Sequence, residues 1–183
     1  MNNKVKFNIS NVHFAKKSEE GYETPVKLPG AVSISLEQQG EITPFWADGI
    51  KYYQSASNGG YEGDLEVAMI TDEFRTQIFG EESDTNQVLF ENANAPTVEF
   101  ALGFQIDGDN TPILFWFYNC TATRAGVSAS TTQDTKEPGT DTITISASSG
   151  DDGLVRAKST AESYEAVKAT WFTKVYEKAE AAG

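Results

Sequence analysis

The sequence predicts a mainly β protein, a β-sandwich or barrel-like pair of sheets with one or two flanking α-helices. Three observations carry this prediction. Apolar and polar residues alternate over several segments, as they do in half-buried antiparallel strands. One segment, 113–120, is bulky on both faces, which indicates a central strand that is covered on both sides. Only the segments 71–80 and 160–175 carry the spacing and caps of helices.

The predicted strands succeed one another along the chain, separated by short turns. Pro29-Gly30 predicts one turn, and Asp107-Gly108-Asp109-Asn110 predicts the loop of a central hairpin. In the segment 140–147, Ser and Thr side chains alternate with Ile and Ala, which predicts a strand with a neutral polar face. We expect strands over 5–14, 32–37, 61–70, 97–106, 112–124, 140–147 and 154–158.

Two helices are expected beside these strands. In the first, Thr71 is a candidate N-cap, acidic residues follow it in the first turn, and Gly80 ends the helix. In the second, Thr160 is a candidate cap, and an apolar stripe at helical spacing follows. Its members are Tyr164, Val167, Trp171 and Val175. Residues 1–176 are expected to form one domain, and residues 177–183 a flexible C-terminal tail.

Composition narrows the possible functions. The chain has 183 residues and a formal net charge of −13, so it repels a phosphate backbone and conventional nucleic-acid binding is disfavoured. A single cysteine, Cys120, excludes an internal disulfide and fits a reducing compartment. The N-terminus lacks the apolar core of a signal peptide, and no apolar run approaches the ~20 residues of a membrane-spanning helix.

No constellation of residues predicts catalysis, a cofactor or a metal. His13 is the only histidine, and Cys120 has no basic neighbour in the sequence to lower its pKa. The loop 107–110 begins like a calcium site but lacks the later glycine and acid, so a hairpin turn is favoured. Gly59-Gly60 is not followed by the lysine of a phosphate-binding loop. We therefore expect a protein that is not an enzyme.

The segment 45–66 is the most unusual of the chain. It combines five aromatic residues, four glycines and several acidic residues without a clear strand or helix period, and a strand begins near its end. We interpret it as a long aromatic loop, which suits contact with another protein better than chemistry. Core packing is the alternative for these aromatic residues, with roughly even odds.

Several segments also match a known family, in the same order and with similar spacing. They are KVKFNISNVHFA, ITPFWADGIKYYQSASNGGYEGDLEVAMITDEFR, ENANAPTVEFALGFQIDGD, FWFYNCTATR and DGLVRAKS. Together they closely resemble the major tail proteins of long-tailed phages and prophages of Gram-positive bacteria. The resemblance extends to about Tyr176, and the Ala-rich residues after Lys178 depart from it.

The resemblance implies a structural virion protein without a cofactor. Its subunits assemble into hexameric rings, and the rings stack into a hollow tail tube through which DNA passes during ejection without specific binding. The implied partners are further copies of the chain, a tape-measure protein and tail-completion proteins, with no membrane involved. The implied location is the virion tail, assembled in the cytoplasm of the host bacterium.

Two sets of residues are candidates for roles in such a tube. The candidate inter-ring residues are Trp46, Tyr52, Tyr53 and Tyr61. The candidate lumen-facing residues are Thr140, Thr142, Thr144 and Ser146, for which exposure on the outer surface is the alternative. A different function also remains open, namely a carbohydrate- or receptor-binding β-sandwich module that uses the same aromatic residues as a stacking platform.

Overall fold

The structure, a computed structural model, describes residues 2–131 and 138–179 and has the mainly β, β-sandwich-like fold that the sequence predicts. Strands over residues 60–67 and 141–147 show the alternation of buried and exposed residues that the sequence predicts. The strands are β1 Lys6–Ser18, β2 Gly21–Tyr22, β3 Val26–Lys27, β4 Ala31–Gln39, β5 Ile42–Ala47, β6 Ile50–Ala56, β7 Gly60–Val67, β8 Glu82–Ser83, β9 Leu89–Phe90, β10 Phe100–Gly108, β11 Ile113–Ala122, β12 Asp141–Ala147 and β13 Arg156–Lys158. The helices are α1 Asp72–Gln77 and α2 Tyr164–Val167.

One large antiparallel sheet forms the body of the fold. Its strand order is β2-β1-β10-β11-β12-β7-β4, with β3 paired to β1 and β13 paired to β11. The predicted central hairpin is confirmed as β10–β11, with Leu102 opposite Phe117 and Phe104 opposite Phe115. Strand β11 pairs with β13 near its start and with β12 near its end, so the sheet divides at this strand.

The central strand β11 is covered on both faces, as its sequence predicts. Phe115 and Phe117 lie in the larger core, which the sheet shares with α1. Leu114, Trp116 and Tyr118 point to the opposite face, where residues of the C-terminal segment cover them. A strand with two apolar faces is stable only between two layers, and here the second layer is the chain's own C-terminal segment.

The first predicted helix is confirmed. The Oγ1 atom of Thr71 accepts a hydrogen bond from the backbone N of Phe74 at 3.3 Å, which caps α1 as expected. Phe74 is fully buried, and Ile78 and Phe79 follow it into the core. Gly80 has a φ of +69°, a conformation that glycine adopts without strain.

The C-terminal helix is shorter than the sequence predicts. Thr160 closes the turn that precedes the helix, since its Oγ1 atom accepts from the backbone N of Ser163 at 3.2 Å, but the N-cap of α2 is Ser163, which makes no capping side-chain hydrogen bond. Regular helix then covers only Tyr164–Val167, and the chain continues as irregular turns that still bury Trp171 and Val175. The run Thr170 to Thr173 combines β-branched and aromatic residues of low helix propensity, so packing on the sheet decides the geometry there.

Residues 180–183 of the predicted tail 177–183 lie outside the described part of the chain. At the start of this tail, the Oε2 atom of Glu177 accepts a hydrogen bond from Lys174 Nζ at 3.3 Å. Within the described residues, neither helix has the length and the apolar character that a membrane crossing requires.

The N-terminal strand departs from its predicted pattern. The alternation predicts that Val5, Phe7 and Ile9 face the core, yet Val5 and Phe7 are exposed and only Ile9 packs partly against it. Full burial begins at Val12 and Phe14. Asn11 has a φ of +52°, and the pairing of β1 with β10 shifts register on both sides of Ser10. These bulges reorient the strand, so its first residues extend past the core that the later ones fill.

Candidate functional site

The predicted aromatic loop is in fact a β-hairpin, and this is the main correction that the structure makes. Strands β5 and β6 pair only with each other in the described sheets, and we call residues 42–56 the arm. The arm continues the paired strands β4 and β7 beyond the sheet, because Ser57 N donates to Glu41 O at 3.0 Å and Gly59 N to Gln39 O at 2.7 Å. With six to seven residues per strand, it extends about 20 Å.

A two-residue turn closes the arm. Asp48 and Gly49 have φ values of +51° and +76°, and Ala47 pairs with Ile50, so the turn has the I′ geometry that hairpins favour. A bulge at Tyr52 interrupts the alternation, since Phe45 pairs with Tyr53 and Trp46 with Lys51. The dipeptide Asp48-Gly49 was the available hairpin signal, and the bulge together with apolar residues on both faces concealed the strand period.

All the large apolar side chains of the arm are exposed. Their exposed fractions lie between 60% and 70%, in a chain whose core aromatic residues are nearly inaccessible. These residues are Ile42, Phe45, Trp46, Ile50, Tyr52 and Tyr53. An isolated two-stranded hairpin is marginally stable in water, and a cluster of exposed aromatic residues is typical of an interaction surface. The described part of the chain therefore leaves the side chains of the arm uncovered.

Tyr61 does not belong with the other three candidate interface residues. It lies on β7, half-buried, with its ring edge-on to Phe117 at a centroid distance of 5.2 Å. The guanidinium of Arg156 lies over the Tyr61 ring, 5.3 Å from its centre. Tyr61 thus packs at the margin of the core, whereas Trp46, Tyr52 and Tyr53 lie together on the arm.

The candidate lumen residues lie on a polar face that is acidic, whereas the sequence suggested a neutral one. The alternation over β12 is as predicted, with Thr142 and Ser146 exposed and Ile143 and Ile145 buried. The neighbouring strands β7 and β4 add carboxylates to this face, and the alternation within β12 alone gives no information about them. We define the acidic face as Ser33, Ser35, Glu37, Glu62, Asp64, Glu66, Thr140, Thr142, Thr144 and Ser146.

Three cross-strand rows organise the acidic face. Glu66 lies between Ser33 and Thr142, Asp64 between Ser35 and Thr144, and Glu62 between Glu37 and Ser146. The face contains four carboxylates and no lysine or arginine. Glu37 lies directly opposite Glu62, an arrangement of like charges that destabilises a sheet. A face that keeps such a pair is suited to repelling other anions.

Hydroxyl groups fix two of the four carboxylates. The Oγ1 atom of Thr140 donates to Glu66 Oε1 at 2.6 Å, and the Oγ atom of Ser33 donates to Glu66 Oε2 at 3.0 Å. The Oγ1 atom of Thr144 donates to Asp64 Oδ1 at 2.7 Å. The hydrogen bonds from Thr140 and then Ser33 lower the pKa of the Glu66 carboxyl below its usual range, so this charge persists in mild acid.

His13 and Cys120 have packing roles in the structure. The His13 ring stacks on Phe172 at a centroid distance of 4.6 Å, and its Nδ1 atom lies 2.8 Å from Asn11 O. Cys120 is fully buried, and burial raises the pKa of its thiol to about 12, so the thiol stays protonated and unreactive. In residues 2–131 and 138–179, no three His, Cys, Asp or Glu side chains are grouped as metal ligands would be.

A cleft of about 600 Å³ lies between the β1–β2 turn and the loop 148–152. At its base the Nζ atom of Lys17 forms a salt bridge with Glu99 and donates to Asn119 Oδ1 at 2.8 Å, while Tyr22 donates its hydroxyl toward the same amide oxygen at 3.4 Å. These four groups bond to one another at the base, and other polar side chains, among them Glu19, Asp151 and Lys178, line the rest of the cleft.

The structure therefore brings together an exposed aromatic arm and an acidic face on the same pair of long strands. Neither a protein-family model nor a curated protein matches the chain.

Proposed function

We propose that this protein is a structural tail-tube subunit of a long-tailed phage or prophage, which self-assembles into stacked hexameric rings and forms a conduit for DNA ejection. The tube works in the virion tail after assembly in the host cytoplasm, where a tape-measure protein and tail-completion proteins are further partners. The observation that carries the proposal is the arm, an aromatic hairpin that pairs with no other strand in residues 2–131 and 138–179. It extends from the strands that bear the acidic face.

The arm supports self-assembly through the area that it leaves uncovered. Its aromatic residues form the kind of cluster that dominates the energetics of protein interfaces once it is buried. Both faces of the hairpin carry such residues, with Phe45 opposite Tyr53 on one side and Trp46 opposite Lys51 on the other. A hairpin of this kind is suited to insertion between two surfaces, as ring stacking requires.

The acidic face supports the role of a conduit. DNA that travels through a tube must not be held by the wall, and every contact between a phosphate and Lys or Arg adds affinity. The ten residues of the acidic face include the carboxylates of Glu37, Glu62, Asp64 and Glu66 and no Lys or Arg, so a wall built from this face would repel the duplex along its path. Serine and threonine hydroxyls between the carboxylates keep this wall hydrated.

The experiment that tests the proposal is electron microscopy of the purified protein beside a variant without the arm. Because Glu41 and Ser57 are already hydrogen-bonded, residues 42–56 can be replaced by the turn Asn-Gly without opening the β4–β7 pair. We expect rings or tubes from the full chain, and folded monomers from the variant, verified by circular dichroism and a cooperative denaturation curve.

Normal tubes from the variant without the arm would contradict its proposed role. A full chain that stays monomeric at all concentrations, with and without tail-completion proteins, would contradict the proposed tube itself.

A carbohydrate- or receptor-binding module is the second candidate, and the exposed rings of Trp46, Tyr52 and Tyr53 favour it as well. Such a module binds its ligand as a monomer or small oligomer. Titration of the monomeric protein with a glycan panel, with Trp46 fluorescence as the readout, separates the two. Saturable binding that the variant without the arm loses would favour this alternative.

A further inference from the structure

A second hairpin protrudes from the fold and is both acidic and apolar. We define the spur as residues 82–90, in which β8 pairs with β9 and Glu82 lies opposite Phe90. Val88 and Phe90 are exposed over about half of their surface. The spur contains the carboxylates of Glu82 and Asp84 and no lysine or arginine.

The spur has a defined shape. Asp84 Oδ1 accepts hydrogen bonds from the backbone N atoms of Asn86 and Val88, both at 2.9 Å, and Asp84 O accepts from Gln87 N at 3.0 Å. Arg124 holds the end of the spur, because it donates to Asn92 O and forms a salt bridge with Glu91 at 3.2 Å. A preorganised hairpin loses little conformational entropy when it docks. Glu82 itself forms no ion pair within the described residues.

A basic cleft lies elsewhere on the same molecule. It measures about 390 Å³ between the N-terminal segment and the end of β13, and we define it by Lys4, Lys6, Lys158, Ile113, Ser159 and Thr160. No carboxylate lines it, and within residues 2–131 and 138–179 none of its three ammonium groups forms a salt bridge. Val5, a further lining residue, and Phe7 near the start of β1 are both apolar and exposed.

The two features are complementary in charge and in apolar character. A chain with 27 acidic and 14 basic residues concentrates three lysines in one cleft, which argues for an acidic occupant there. The spur offers carboxylates on a rigid hairpin with exposed Val88 and Phe90, and the cleft offers ammonium groups beside exposed Val5 and Phe7. We propose that the spur of one copy docks in the basic cleft of a second copy, with Glu82 facing Lys158.

This contact rests on the self-association that the proposed function requires, but not on the arm or on a tube. It adds a second, electrostatic interface to the aromatic one. Since the charged groups lie at the rim, we expect the contact to weaken as salt screens it.

The test is a charge-exchange series measured by analytical ultracentrifugation at low salt. We expect Glu82→Lys and Lys158→Glu each to lower the association constant for self-association at least tenfold, because each substitution places like charges opposite each other in the contact. The double variant should recover to within about threefold of the original chain, because its charges are opposite again. Glu20→Lys, an exposed position in the β1–β2 turn, is the matched control for net charge and should change the constant less than twofold.

A second readout locates the contact. Carbodiimide cross-linking of mixed ¹⁴N- and ¹⁵N-labelled copies should give a mixed-isotope peptide pair that joins Glu82 or Asp84 to a lysine of the cleft. A double variant no better than the single ones, equal weakening by Glu20→Lys, or a chain that remains monomeric would each overturn the proposal. The proposal would also be wrong if the Lys158→Glu variant lost binding to a DNA duplex that the original chain binds, while its self-association stayed unchanged.

Electron microscopy of the same samples separates this proposal from the tube. Association that the charge exchange restores, without rings or tubes, would refute the tube and leave the contact. Normal tubes from both single variants would refute the contact and leave the tube.

Discussion

Two aromatic hairpins of this protein, the central hairpin β10–β11 and the arm β5–β6, differ in the burial of their side chains. Each is an antiparallel pair with aromatic residues on both faces, and each is closed by a short turn. In the central hairpin, Phe104, Trp116 and Phe117 are buried. In the arm, Trp46 and Tyr53 are more than half exposed.

The difference lies in what the rest of the chain places against each hairpin. The central hairpin has a layer on both sides, with Phe74 of α1 in the core on one side and Trp171 of the C-terminal segment on the other. Nothing in the described chain pairs with the arm beyond its base. Aromatic content therefore predicts that a surface will be buried, but not whether the covering residues belong to the same subunit.

Removing the Trp116 side chain should have the largest effect on stability. The ring is fully buried, and its Nε1 atom donates to Trp171 O at 2.9 Å. We expect Trp116→Ala to lower the free energy of unfolding by about 3–5 kcal/mol, because it leaves a cavity between the sheet and the C-terminal segment. Urea denaturation followed by circular dichroism measures this loss, and Trp116→Phe should lose distinctly less. A loss below 1 kcal/mol would show that the C-terminal segment is not a true second layer.

A methyl group added beneath the same ring should have the next largest effect. A Cβ atom built on Gly103 would lie 2.7 Å from the Trp116 ring, closer than atoms pack. We expect Gly103→Ala to cost about 1–3 kcal/mol through overpacking. The cost should shrink when Trp116→Phe is present in the same chain, since the smaller ring leaves room. Equal costs in both backgrounds, measured by the same denaturation, would place the strain elsewhere.

Much of this fold follows from the sequence because the central hairpin obeys local rules. The residues of 113–120 are apolar on both faces of the strand that they form, and Thr71 marks the start of α1, which ends at Gln77, three residues before Gly80. The acidic face could not be derived in this way. It forms because register places Glu62, Asp64 and Glu66 beside the threonines of β12, and register between distant strands is set by tertiary packing.

The arm was missed for a different reason. Hairpin periodicity appears in a sequence when one face is polar, and the arm has apolar residues on both faces and a bulge at Tyr52. Its only local signal was Asp48-Gly49 between aromatic segments. A strand that the described part of its own chain does not cover carries no one-sided apolar pattern by which to recognise it.

A smaller effect concerns the pH dependence of the layer that covers the central hairpin. His13 stacks on Phe172, and burial lowers the pKa of its imidazole below 6.5, with a hydrogen bond to Asn11 opposing and Lys27 adding to the shift. Below pH 6.5 the unfolded chain takes up a proton that the folded chain resists, so stability falls as the pH falls. From pH 7.5 to 5.5 we expect a loss of less than about 1 kcal/mol. Urea denaturation at both pH values should show a smaller loss in His13→Phe.

The smallest effect on stability is expected where the aromatic residues are most exposed. Because Trp46 buries little in the monomer, Trp46→Ala should change the free energy of unfolding by less than about 0.5 kcal/mol, about a tenth of the cost at Trp116. Hydrogen exchange should show the same contrast, with arm amides opening at almost no cost and central-hairpin amides protected up to global unfolding. Once subunits associate, we expect the arm amides to become protected while those of the central hairpin do not change. Slow arm exchange in the monomer would mean that the arm already packs on its own subunit, and its aromatic residues would then need no second molecule to cover them.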